Sequence, residues 1–110
     1  MMITSESAAV LTIELEEGTA EPLGDGLFVV LQRDETISGK PMQNVVLTLE
    51  DLETLRAHEG AVTPVYLEDG RAHWMGDHFL IEQADRTVEG HPVQSVALSA
   101  NDTEVLRLAA

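Results

Sequence analysis

Phe28 to Arg56 reads FVVLQRDETISGKPMQNVVLTLEDLETLR, and Phe79 to Arg107 reads FLIEQADRTVEGHPVQSVALSANDTEVLR. The stretches align without a gap at a constant offset of 51, and 13 of the 29 pairs are identical. The identities are Phe28/Phe79, Gln32/Gln83, Asp34/Asp85, Thr36/Thr87, Gly39/Gly90, Pro41/Pro92, Gln43/Gln94, Val45/Val96, Leu47/Leu98, Asp51/Asp102, Glu53/Glu104, Leu55/Leu106 and Arg56/Arg107. Unrelated segments do not agree this well, so the chain uses one supersecondary unit twice.

The likeness extends upstream. Val65-Tyr66-Leu67-Glu68-Asp69-Gly70 echoes Ile13-Glu14-Leu15-Glu16-Glu17-Gly18, now at an offset of 52. Repeat one then covers about 10–58 and repeat two about 64–108, within a single domain over 1–110. A unit of about 50 residues buries too little surface to be secure alone, so the copies are expected to share a core.

Within each unit the periodicity names the elements. Val10 to Glu16 alternates apolar and polar, the pattern of a half-buried strand. Leu27 to Asp34 is a second β-rich run, and Gln43 to Leu47 a third. Ser38-Gly39-Lys40-Pro41 and Glu89-Gly90-His91-Pro92 read as turns. Thr48 with Asp51, and Ser99 with Asp102, have capping-box spacing and open helices over about 50–58 and 100–109. Acidic residues in the first turn and Arg56 in the last suit the helix dipole. The expected fold is α+β: a two-layer sandwich of two tandem β-β-β-α repeats with pseudo-twofold symmetry, resembling a fused homodimer.

The retained identities share strand parity. Phe28, Gln32 and Asp34 lie on one side of their strand, and Gln43, Val45 and Leu47 on one side of the next. They form a face that is apolar near the helix and polar toward the turn. Gln32, Asp34, Gln43 and their mates Gln83, Asp85 and Gln94 then admit two readings. One is a shared core finished by cross-strand polar pairs, where a buried Gln must find partners. The other is a duplicated polar groove.

Charge is the second strong feature. Asp and Glu number 20 against 6 Lys and Arg, a net of -14, and Lys40 is the only lysine. No acidic run exceeds two residues, which points to an acidic folded surface rather than a tail. Such a surface repels nucleic acid and anionic membranes and attracts basic proteins. Direct nucleic-acid binding is excluded for want of a phosphate-neutralising patch. Candidate contacts for a basic protein partner are Glu14, Glu16, Glu17, Glu50, Glu53, Glu68 and Asp69. The competing reading is that the acidity serves solubility alone. Zero cysteines rule out disulfides and fit a cytoplasmic location. Met1 to Ala9 lacks the basic and apolar regions of a signal peptide, and no stretch is apolar enough for a membrane span.

His73-Trp74-Met75-Gly76-Asp77-His78 is the densest patch of reactive side chains. Two His and a carboxylate suit Zn²⁺ or Fe²⁺. Five residues apart, however, His73 and His78 converge only through a turn at Gly76-Asp77. The first copy has no equivalent patch, and the competing reading is a loop with Trp74 on the core and the histidines in solvent. No Gly-x-Ser-x-Gly elbow and no phosphate-binding loop is present, so neither catalytic residues nor a cofactor are expected.

Three functions remain open from the sequence. The first is a small non-catalytic binding or regulatory protein that engages a basic protein partner. The second is a metal-binding protein or enzyme using His73, Asp77 and His78. The third is a structural or assembly module, with a homo-oligomer in view through its sheet edges.

Overall fold

The structure is a computed structural model that describes residues 12–33, 42–85, 89–90 and 92–110. Repeat one contains β1 (Ile13–Glu14), β2 (Thr19–Gly24), β3 (Leu27–Arg33), β4 (Met42–Thr48) and helix α1 (Leu49–Ala57). Repeat two contains β5 (Val65–Tyr66), β6 (Arg71–Trp74), β7 (His78–Ala84), β8 (Val93–Ser99) and helix α2 (Ala100–Ala109). Each repeat forms its own antiparallel four-stranded meander, β1-β2-β3-β4 and β5-β6-β7-β8. The fold is thus α+β, a tandem repeat in two layers.

Each unit carries one strand more than its periodicity suggests. The additions are β2 and β6. After β2, Asp25 (φ 55°) and Gly26 (φ 77°) make the two-residue turn into β3, both in the left-handed region that a type I′ hairpin requires. In β6, Ala72 and Trp74 face the core while Arg71 and His73 face outward. Only four residues long, β6 is too brief for alternation to register in the sequence.

The register sets Phe28 opposite Leu47, Val30 opposite Val45 and Gln32 opposite Gln43. Phe79/Leu98, Ile81/Val96 and Gln83/Gln94 repeat that ladder in the second sheet. The apolar members of both ladders are buried and join Leu52, Leu55 and Leu106 in one cluster drawn from both repeats. Trp74 closes it at one end, edge-on to Phe79 with ring centroids 4.9 Å apart.

Thr48 completes its capping box: its hydroxyl accepts from Asp51 N–H, and Asp51 accepts from Thr48 N–H. Ser99 accepts from Asp102 N–H in the same way. The helices pack against each other. Arg56 reaches Glu104 at 3.2 Å, and Arg107 reaches Glu53 at 3.4 Å and Glu104 at 2.9 Å. These four residues are identities of the repeat, so the helix contact is itself nearly twofold.

Candidate functional site

Repeat identities at Gln32, Gln43, Gln83 and Gln94 converge on the seam between the sheets. β4 and β8 each pair with one strand only, leaving the other edge of each without a strand partner among the described residues. The glutamines of the opposite repeat occupy those edges. Val46 N–H donates to Gln83 Oε1 at 3.0 Å, and Gln83 Nε2 donates to the Val46 carbonyl at 2.6 Å. Ala97 N–H donates to Gln32 Oε1 at 2.7 Å, and Gln32 Nε2 donates to the Ala97 carbonyl. Asn44 N–H donates to Gln94 Oε1 at 3.2 Å, and Ser95 N–H to Gln43 Oε1 at 3.0 Å. A carboxamide carries the donor and acceptor of a peptide unit, so Gln32 and Gln83 stand where a neighbouring strand would stand. Asp85 lies beside this seam, with Gln94 Nε2 3.5 Å from its Oδ2. Asp34 lies outside the described residues.

Asp51 and Asp102 do a second job that their capping role conceals. Asp51 Oδ1 accepts from Glu68 N–H at 2.9 Å, and Asp102 Oδ1 accepts from Glu16 N–H at 2.9 Å. Each helix N-terminus therefore grips the first turn of the other repeat. The sequence held a signal for this: the acidic turns echo one another, as do the two aspartates.

The clamps sort the candidate acidic residues. Glu68 and Asp69 are gathered beside Glu50 at the start of α1, and Glu16 and Glu17 at the start of α2. All five are exposed, and among the described residues none forms an ion pair. Glu53 is instead engaged by Arg107, and Glu14 lies apart on the outer strand β1. A cavity of about 320 Å³ opens between Glu16, Glu17, Asp77, His78 and Ser99. A groove of about 360 Å³ runs along Asn44, Val46, Asp69 and Gln83, and its pseudo-equivalent of about 280 Å³ runs along Ser95, Ala97, Glu17 and Gln32.

The β6–β7 hairpin turns at Gly76-Asp77 and brings His73 and His78 to one face, because His73 lies opposite Leu80. Their partners differ. His73 Nε2 is 3.3 Å from Glu82, which also takes Arg71, while His78 Nδ1 is 2.6 Å from Asp77. Among the described residues no group of three His, Cys, Asp or Glu is disposed to hold a metal ion. No described helix is long and apolar enough to cross a membrane.

Asp51 and Asp102 are buried alike but satisfied differently. Both oxygens of Asp51 accept main-chain N–H groups, whereas Asp102 Oδ2 has no hydrogen-bond partner among the described residues. Burial pushes the Asp102 carboxyl above its ordinary range, against the N–H donors at Glu16 and Glu17 and the Ser99 hydroxyl, with the nearby Glu16 charge adding to the rise. The native state thus holds this proton to higher pH than the unfolded chain. Its contribution to stability is full below the unfolded value and is lost as pH rises through the native value. Asp51→Asn should cost about 1–3 kcal/mol, because one N–H loses its acceptor. Asp102→Asn should cost less, and its deficit should shrink as pH rises from about 4 toward neutrality. Urea midpoints at both pH values test this. Equal losses for the two variants, or a pH-independent Asp102→Asn deficit, contradict it.

Comparison with protein-family models, curated proteins and solved structures gives no match for this chain.

Proposed function

We propose that the protein is a non-catalytic binding or regulatory module that takes a basic protein partner on the carboxylates of its two gripped turns. The single observation that carries the reading is the state of Glu16, Glu17, Glu68 and Asp69. They are exposed and, among the described residues, without an ion-pair partner, while their turns are pinned by buried Asp102 and Asp51. Carboxylates that only kept the chain dispersed would need no such pinning. Fixed charges, by contrast, lose little freedom when a partner docks. With a net charge of -14 the whole molecule also steers a cationic partner toward them. A chain without cysteine suits a reducing compartment, so a cytoplasmic partner is the natural expectation.

The test compares wild type with Glu16→Gln/Glu17→Gln/Glu68→Gln/Asp69→Asn as immobilised baits in host lysate. Wild type should retain a stoichiometric basic protein at low salt and release it as salt rises. The neutralised bait, folded by circular dichroism, should capture it about tenfold or more slowly. An empty wild-type bait, or equal capture by both, removes the proposal.

A further inference from the structure

Among the described residues, the side-chain hydrogen bonds and ion pairs between the halves come in matched pairs. The carboxamide of Gln32 on Ala97 is matched by that of Gln83 on Val46. The aspartate clamps and the helix Arg–Glu pairs are matched likewise. Each repeat therefore presents the other with a full set of donors, acceptors and charges. By contrast, the 58–64 segment adds only Ala61, which packs against the core, to that fit. Its recorded hydrogen bonds stay within α1 and the segment itself, from His58 N–H to the Leu55 carbonyl (3.1 Å) and from Ala61 N–H to the His58 carbonyl (3.0 Å). Val62 at its middle is 98% exposed. Nothing in these contacts requires both repeats to lie on one chain.

We propose that the repeats act as separable partners. Repeat one of one chain docks on repeat two of a second copy, and the reverse, giving a domain-swapped dimer that opens at 58–64. The swap keeps the whole interface, including the glutamine-covered edges of β4 and β8 and the shared apolar cluster. It loses only the advantage of having both halves on one chain, an effective concentration on the order of millimolar. Crowding the chain to that level, or shortening the connection, should tip the balance.

Two arms test this. Deleting residues 60–63 should give a protein with native circular dichroism that sediments at twice the monomer mass in dilute solution. A folded monomer overturns the proposal. Should the deletion variant not fold, the second arm decides, since it leaves the connection intact. Arg56→Glu/Arg107→Glu and Glu53→Arg/Glu104→Arg each place like charges between α1 and α2 of one chain. Swapping one with the other restores opposite charges at the helix contact. Co-refolded from denaturant at about 1 mM, the pair should give heterodimer about threefold or more above its random share by native mass spectrometry. Monomers alone overturn the proposal. So does random assortment, because a dimer joined at any other face is blind to those charges.

Discussion

Gln32→Leu/Gln83→Leu should destabilise the protein by about 2–5 kcal/mol and make it self-associate. Each leucine keeps the bulk of the side chain and removes one two-bond contact. The main-chain N–H and C=O of Ala97, and those of Val46, then lose their partners. A lost hydrogen bond costs about 0.5–1.5 kcal/mol where water can replace it, and about 1–3 kcal/mol where it cannot. Four such bonds therefore take a large share of the roughly 5–15 kcal/mol that holds a small domain. The freed edges of β4 and β8 are also templates for another chain. Denaturant midpoints give the first effect, and light scattering gives the second. Amide exchange at Val46 and Ala97 should accelerate before the rest of the sheet does. A double variant within about 0.5 kcal/mol of wild type, with those amides still protected, refutes this account of the seam.

Gln83→Glu separates hydrogen bonding from packing. The carboxylate still accepts from Val46 N–H but faces the Val46 carbonyl without a proton to donate. Protonation restores the donor. The native state should therefore hold this proton above the ordinary carboxylate range, and stability should fall as pH rises through the native value. The leucine variant lacks this slope.

The constant offset at Phe28–Arg56 and Phe79–Arg107 made the duplication legible. The capping spacing at Thr48 and Ser99 placed both helix starts within a residue or two. Strand parity put Gln32 and Gln43 on the face of Phe28 and Leu47, which is where the register sets them. What the sequence hid has physical causes. β2 carries Pro22 and Gly24 and has one buried residue among six, so it lacks the apolar alternation by which a strand is recognised. The partners of the glutamines are main-chain groups on the other repeat, and a backbone edge has no signature in a sequence. The second role of Asp51 and Asp102 was masked because the cap already explains an aspartate at that position. For the acidic surface, composition supplied the sign of the charge. Only the fold shows that Arg56, Arg71 and Arg107 are spent on Glu53, Glu82 and Glu104, while the turn carboxylates have no ion-pair partner among the described residues.

Gly70→Ala and Gly18→Ala should be the two most damaging single methyl additions at the seam, at about 2–4 kcal/mol each. Gly70 has φ 112° and Gly18 φ 78°, where an L side chain is strained by about 1–2 kcal/mol. Strain is the smaller part. A Cβ at Gly70 would run into the Glu82 carbonyl and the Gln83 side chain, and one at Gly18 into the Leu31 carbonyl and the Gln32 side chain. A carbonyl in a sheet cannot step aside without breaking its ladder, so the turn must move instead. The moving turn carries Glu68 N–H away from Asp51, or Glu16 N–H away from Asp102, and it presses on the glutamine that covers the opposite strand edge. One methyl group therefore loosens the clamp and the seam together. Gly60→Ala is the control, because Gly60 has φ 87° and open space where its Cβ would sit. It should show the strain alone, about 1–2 kcal/mol. Thermal or urea unfolding of the three variants decides the point. If Gly60→Ala is as costly as Gly70→Ala, backbone strain is the whole effect and close approach of turn to strand is not what these glycines provide. If Gly70→Ala costs more, and Asp51→Asn costs less in the Gly70→Ala background than in wild type, turn and clamp are coupled. The carboxylates offered to a basic partner would then be held in place by a glycine two repeats have in common.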